Sequence, residues 1–409
     1  MSAPTASTIE RLDTIYQGFS KQDALEVKRI ERTTNHDVKA VEYFIKNKLE
    51  SSEETASLKE LVHFCCTSED INNLAYARML RDSLATVIVP GIEKLLTTLS
   101  QLSISNAKTP LLALTHGQAA TPTTFGREMA VFIDRVAGQL SILKSTKIRG
   151  KLNGATGSFN AHLVAFPEIA WESVSRSFVE DQIGVTYQPV STQIECHDYI
   201  GELSDCMSRM STILIGFSRD MWSYISRHVL KLRAVPGETG SSTMPHKVNP
   251  IDFENAEGNL GISVALFNHF SSKLLISRLQ RDLSDSTVLR NLGLAFAHFL
   301  ISIDSLIRGI GKVEVNETAC NAELDANFSI VAEAVQTVMR KHALVNPYER
   351  LKTFTRGAEV SKQSMKEFIE SLRTELPQEE VEKLLQLTPQ TYLGSAEEIA
   401  RKYGQFPRM

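Results

Sequence analysis

The chain has 409 residues, 42% hydrophobic and 22% charged, an ordinary balance for a folded globular protein. Its 44 Lys and Arg against 48 Asp and Glu leave a formal net charge of −4. No block of like charges stands out, which argues against a dedicated nucleic-acid or membrane surface. The opening MSAPTAST lacks the apolar run of a secretion signal, and no stretch of about 18 apolar residues runs without a charge. The five cysteines, Cys65, Cys66, Cys196, Cys206 and Cys320, are odd in number and lack metal-ligand spacing. They read as reduced thiols, and the expected location is cytoplasmic. At this length one hydrophobic core is usually exceeded, so two or three structural regions are expected.

Along the chain, turn-rich polar stretches at 33–37 and 67–70 precede a first apolar stripe: Ile88, Ile92, Leu95, Leu96, Leu99 and Leu102. Further polar stretches at 115–124 and 150–160 lead to a second stripe, from Leu203, Cys206, Met207 and Met210 through Ile213, Leu214 and Phe217 to Met221, Tyr224 and Ile225. After a loop at 236–250 comes a third: Leu289, Leu292, Phe296, Phe299, Ile303, Leu306, Ile307 and Ile310. Each stripe keeps the i, i+3, i+4, i+7 spacing of a helix, and no convincing run alternates with period two. The fold class expected is all-α, an elongated bundle of long helices. The second stripe is wide for one intramolecular face, so part of it is expected to pack against another subunit. From about residue 313 the helical segments shorten, as in a separate cap.

The loop Pro236-Gly-Glu-Thr-Gly-Ser-Ser-Thr-Met-Pro-His-Lys-Val-Asn-Pro250 concentrates the unusual chemistry. Its glycines and prolines suit a mobile loop. A helix is expected to begin just after Pro250, where backbone N–H groups favour an anion. A serine serves as a base only where N–H donors and a nearby cation stabilise its alkoxide. Lys247 by charge and Asn249 by hydrogen bonding suit a carboxylate. A phosphate-binding glycine loop is the competing idea, but the G-x-x-x-x-G-K-[ST] spacing is absent. On composition alone a plain surface loop stands beside both.

The run Gly240-Ser-Ser-Thr-Met-Pro-His-Lys-Val-Asn-Pro250 resembles the signature loop, G-S-S-x-M-P-x-K-x-N, of the fumarase/aspartase superfamily. Five further blocks resemble the bacterial-type adenylosuccinate lyases: Glu31-Arg-Thr-Thr-Asn-His-Asp37, Cys66-Thr-Ser-Glu-Asp70, Thr115-His-Gly-Gln118, Thr192-Gln-Ile-Glu195 and Arg281-Asp-Leu-Ser-Asp-Ser286. The resemblance covers nearly the whole chain. It implies a central bundle of long helices (58–312) flanked by two smaller helical domains, at 1–57 and 313–409. It also implies a homotetramer whose active sites are shared between subunits, purine nucleotide substrates, and no metal or organic cofactor.

The reaction implied is a β-elimination of fumarate. Ser241 matches the family's proton-abstracting residue, with Ser242 beside it as the open alternative. Lys247 and Asn249 match its carboxylate contacts. His116 matches the general acid, a role that suits an imidazole near neutral pH, and Glu254 matches the carboxylate that orients it. Asn35, His36, Asp37 and His63 lie in or beside matching blocks. Thr67 and Ser68 match contacts to the succinyl carboxylate and also suit the start of a helix, with Glu69 and Asp70 in its first turn. Gln193, Arg281, Ser286 and Arg290 match nucleotide contacts; two arginines and a hydroxyl suit a phosphate.

The sequence departs from the family at its start. Relatives of this type begin upstream with a segment resembling S-P-x-D-G-R-Y, whose arginine and tyrosine contact the phosphate end. That motif is missing from these 409 residues, so 1–57 is expected to be a truncated domain. Losing one arginine and one tyrosine removes about two hydrogen bonds, a charge-assisted one being worth about 1.5–3 kcal/mol, enough to weaken nucleotide binding more than tenfold. A catalytically weak or non-catalytic family member is therefore the alternative reading. Leu114 and Cys196 are smaller departures, standing where relatives often carry arginine and proline.

Overall fold

The computed structural model describes residues 5–237, 243–244, 246–356 and 360–407. The chain is mainly helical, and the strands among the described residues are two or three residues long. It divides into two compact units. The first comprises residues up to 86, 146–204 and 269–290; the second comprises 87–145, 205–268 and everything from 291.

In the first unit, Ser20 starts the helix Lys21–Thr34, with its N–H donating to Asp23 at 2.9 Å. Asn35 ends that helix in the left-handed region at φ 51°, a conformation asparagine tolerates. His36 then caps the helix Asp37–Glu50, its Nδ1 accepting from the Lys39 N–H at 3.2 Å. The helix Ser68–Ser83 buries Leu74 and Ala77 against Val179, Val185 and Tyr187. Beside it runs a parallel pair of two-residue strands, Arg149–Gly150 and Thr186–Tyr187. A Cβ on Gly150 would sit 2.5 Å from the end of the Leu74 side chain, so a larger residue there would have to push that side chain aside.

The second unit is a bundle of Val89–Ser105, Phe125–Ser145, Ile251–Lys273, Leu292–Lys312 and the later part of Asp198–Ser226. Aromatic edges stitch these helices together: Phe132 meets Phe217 at 5.3 Å, Phe217 meets Phe253 at 6.3 Å, and Phe267 meets Phe296 at 5.0 Å. Buried serines let helices approach and bond across, as where Ser263 donates to the Ala295 carbonyl at 3.0 Å. The first stripe is buried from Ile88 to Leu99. The second is also buried within the chain from Leu203 through Met221, and its last two residues, Tyr224 and Ile225, are half-buried. Exposed apolar residues of the bundle include Val131, Ile142, Trp222, Ile251, Ile262, Leu294 and Ile301.

The segment Ser284–Lys312 is long and apolar enough to cross a membrane by length and composition, a test that the core helix of a folded bundle also passes. Ala295, Phe299, Ile303 and Leu306 on it are all buried in the bundle. Toward the C-terminus, the helices Ala332–Lys341, Lys362–Ser371 and Gln378–Gln386 enclose a local core of Val335, Met339, Met365, Ile369, Val381 and Leu384.

Candidate active site

The residues singled out from the sequence fall into two groups, one in each unit. In the first unit they gather at the start of the helix Ser68–Ser83. His63 and Cys65 both take left-handed conformations, at φ 62° and 58°. Thr67 follows as the cap residue, its N–H donating to the Asp70 carboxylate at 2.9 Å. The Ser68 hydroxyl lies 3.3 Å from His36 Nε2. The blocks holding Asn35, His36 and Asp37 and holding Thr67 and Ser68 are thus brought together. Burial pushes the Tyr76 hydroxyl up; Arg290 opposes this, and Asp37, Glu69 and Asp285 add to it, so those groups share one neighbourhood.

Arg281 links this helix start to Gln193. Its Nη1 donates to Gln193 Oε1 at 3.0 Å, its Nη2 lies 3.4 Å from Glu69 Oε2, and its buried Nε has no partner among the described residues. Burial pushes the Glu69 carboxyl up to about 7, outweighing Arg281, which pulls it down. Ser286 sits in the short helix Ser284–Leu289, and Arg290, exposed, caps it through an N–H bond to the Ser286 carbonyl at 3.4 Å. One carboxylate oxygen of Asp285 is buried without a partner among the described residues. The unsatisfied Nε–H of Arg281 and the exposed guanidinium of Arg290 are each groups that an anion would complete.

One cation in this unit was missed from the sequence. Lys151 is wholly buried, and its Nζ reaches Asp70 Oδ1 at 2.9 Å and the Gly154 carbonyl at 3.2 Å. Burial pulls its ammonium down, against the opposing pull of Asp70. Nothing local distinguishes a buried lysine from a solvated one; the only signal was the turn-rich stretch around it.

In the second unit, His116 and Gly117 form the tip of a hairpin between Leu114–Thr115 and Gln118–Ala119. Both have positive φ, 54° and 72°, as a type I′ turn requires. His116 is exposed, presented at the tip without local packing. Lys247 is exposed and Asn249 half-buried, where Asn249 and Pro250 help wall a cavity of about 230 Å³ with Leu232, Val235 and Asp252. The helix expected after Pro250 begins at Ile251, and Glu254 lies in its first turn. Glu254 accepts from the Trp222 indole N–H at 3.1 Å. Among the described residues no hydrogen bond or ion pair joins it to His116 within the chain. Ser241 and Ser242 lie outside the described residues. No group of three His, Cys, Asp or Glu among the described residues is placed to hold a metal ion.

The fold is shared with two solved enzyme structures. The fumarate lyase of Mesorhizobium sp. BNC1 superposes with a TM-score of 0.77 at 19% identity, over 98% of this chain and 89% of that one. The 3-carboxy-cis,cis-muconate lactonizing enzyme of Pseudomonas putida superposes at 0.71 with 20% identity, over 94% and 85%. A family model described as lyase matches residues 2–263, and one described as adenylosuccinate lyase C-terminal matches 277–393.

The sequence relatives are more specific. The chain is 50% identical to the adenylosuccinate lyase of Escherichia coli (strain K12) over 391 residues, 96% of this chain and 85% of that protein. Identity is 50% over 388 residues with that of Buchnera aphidicola subsp. Acyrthosiphon pisum (95% and 84%), and 49% over 398 residues with that of Vibrio cholerae (97% and 87%). The chain belongs to the adenylosuccinate lyase family.

Proposed function

We propose that the chain expels fumarate from adenylosuccinate, leaving AMP, and from the succinylaminoimidazole carboxamide ribotide, leaving the free carboxamide. The observation that carries this reading is the 50% identity with the Escherichia coli enzyme over 96% of the chain. The linked set of Thr67, Ser68, Gln193 and Arg281 supports it.

In this reading Ser241, or Ser242 beside it, takes a proton from the succinyl Cβ. The electron pair left behind delocalises into the adjoining carboxylate, which Lys247 and Asn249 hold. The C–N bond then breaks, its electrons pass to nitrogen, and His116 supplies the proton. Glu254 orients His116. Thr67 and Ser68 offer hydroxyls and a helix N-terminus to the succinyl carboxylate, with His36 and His63 alongside and Asn35 and Asp37 shaping that wall. Gln193, Arg281, Ser286 and Arg290 face the nucleotide, the arginines suiting its phosphate.

We assign the working form to a homotetramer with shared sites. Two observations support this: Glu254 pairs with Trp222 and not with His116, and Leu294 and Ile301, seven apart on one helix face, are each 47% exposed. The division into 1–57, 58–312 and 313–409 belongs to the same proposal, as does a cytoplasmic location, in keeping with five free thiols.

The test is fumarate release from adenylosuccinate by the purified chain, with Ser241→Ala alongside. Turnover that the variant loses supports both the activity and the base. A folded wild-type chain that releases no fumarate rejects the reading.

A further inference from the structure

The buried pair of Lys151 and Asp70 does more than fill the interior of the first unit. Both side chains are wholly buried. The Asp70 carboxylate accepts from Lys151 Nζ at 2.9 Å and from the N–H groups of Thr67 at 2.9 Å, Asn153 at 3.1 Å and Gly154 at 3.2 Å. One carboxylate thus ties the helix start that bears Thr67 and Ser68 to the turn at 151–154. Asn73 doubles the tie: its Oδ1 accepts from the Lys151 N–H at 2.8 Å, and its Nδ2 donates to the Lys151 carbonyl at 3.0 Å.

The turn then leads back to the opposite group. Asn153 Nδ2 donates to Ser191 Oγ at 2.8 Å, and Gln193 Nε2 donates to the Ala155 carbonyl at 3.0 Å. Gln193 accepts from Arg281, and Arg281 meets Glu69, the neighbour of Asp70. The bonds close a ring. Its one corner carries Thr67 and Ser68, its other Gln193 and Arg281, and Lys151 neutralises the buried carboxylate that joins them.

We propose that Lys151 is a positioning residue: through Asp70 it sets the spacing between the groups that hold the succinyl end of the substrate and those that hold its nucleotide end. This rests on the lyase reading above. A buried carboxylate stripped of its cation is strongly unfavourable, whereas removing both charges together is far milder. The charge matters here because the Lys151 ammonium faces the same carboxylate that accepts from three N–H donors at once. The geometry predicts a particular signature. A ligand that spans both corners feels the spacing, whereas one that uses only the nucleotide corner does not.

The experiment uses the double variant Lys151→Met/Asp70→Asn, which removes both charges and keeps an acceptor oxygen for the N–H donors. AMP binding is measured by calorimetry, and KM and kcat for adenylosuccinate by fumarate release. We expect AMP affinity within about twofold of wild type and KM for adenylosuccinate raised at least tenfold. Parallel weakening of both ligands, or no change in either, overturns the proposal. If the double variant does not fold, Asn73→Ala decides the matter: it leaves the charge pair in place and cuts the second tie, and the same split between AMP and adenylosuccinate is required of it. A wild-type chain that binds AMP without releasing fumarate would reject the lyase reading itself, an outcome separate from either variant's behaviour.

Discussion

Glu69 and Arg281 approach to 3.4 Å, yet the Glu69 carboxyl is pushed up to about 7. Only 3% of Glu69 is exposed, and the loss of water outweighs the guanidinium beside it. The folded value lies above the ordinary 4.5, so between the two the folded state binds more protons than the unfolded. Stability is therefore highest below about pH 4.5 as far as this group is concerned, and declines as pH rises through about 7, by on the order of 3 kcal/mol. Glu195, buried and also pushed up to about 7, contributes with the same sign. Glu69→Gln should flatten the fall in Tm between pH 5 and pH 8 relative to wild type. Melting curves across that range check it, and an unchanged slope would reject burial as the cause.

His116 gives a cleaner test of the general acid, because its backbone and its chemistry can be separated. It sits exposed at φ 54° before Gly117, a position that asparagine fills well in a type I′ turn. His116→Asn should leave Tm within a degree or two while lowering kcat by about 10²–10⁴-fold, the usual worth of a positioned acid. An unaltered kcat would remove His116 from the mechanism.

The shared-site proposal makes a demand on two exposed apolar residues of the second unit. Leu294 and Ile301 lie on one face of the helix Leu292–Lys312, and each is 47% exposed. Replacing both by aspartate sets charges where an apolar contact is proposed, on side chains that are about half exposed in the chain itself. Light scattering should show the double variant shifted to a smaller species, and fumarate release should fall with the tetramer. A variant that stays tetrameric and active would place the subunit contact elsewhere.

Much of this architecture was legible because helices repeat. Ile92, Leu95, Leu96 and Leu99 recur at helical spacing, and all are buried. The start of Ser68–Ser83 was also legible, since Thr67 and the acidic pair after it are chain neighbours whose local hydrogen bonds decide the geometry. The hairpin presenting His116 was not, because strands of two residues are too short to show alternation. Lys151 was illegible for a different reason. Its burial depends on Asp70 in a distant segment, and a lone charged residue carries no mark of its partner. The assignment of Glu254 to His116 rested on resemblance, whereas within the chain Glu254 meets Trp222.

Two glycines in the helix Phe125–Ser145 should answer oppositely to the same substitution. A Cβ on Gly126 would lie 2.4 Å from the Ser103 carbonyl oxygen and 2.6 Å from the Ala107 Cα, both backbone atoms. Ser103 Oγ also donates to the Gly126 carbonyl at 2.7 Å, so the two helices are held at this separation. Gly126→Ala must push backbone apart and should cost at least about 1–3 kcal/mol. At Gly138, further along, a Cβ would meet no other atom within 4 Å. There alanine relieves the entropic cost of a helical glycine and should add about 0.5–1 kcal/mol. Urea unfolding of the two variants beside wild type measures both. Equal effects of either sign would mean that the close approach at Gly126 does not govern the packing of these helices.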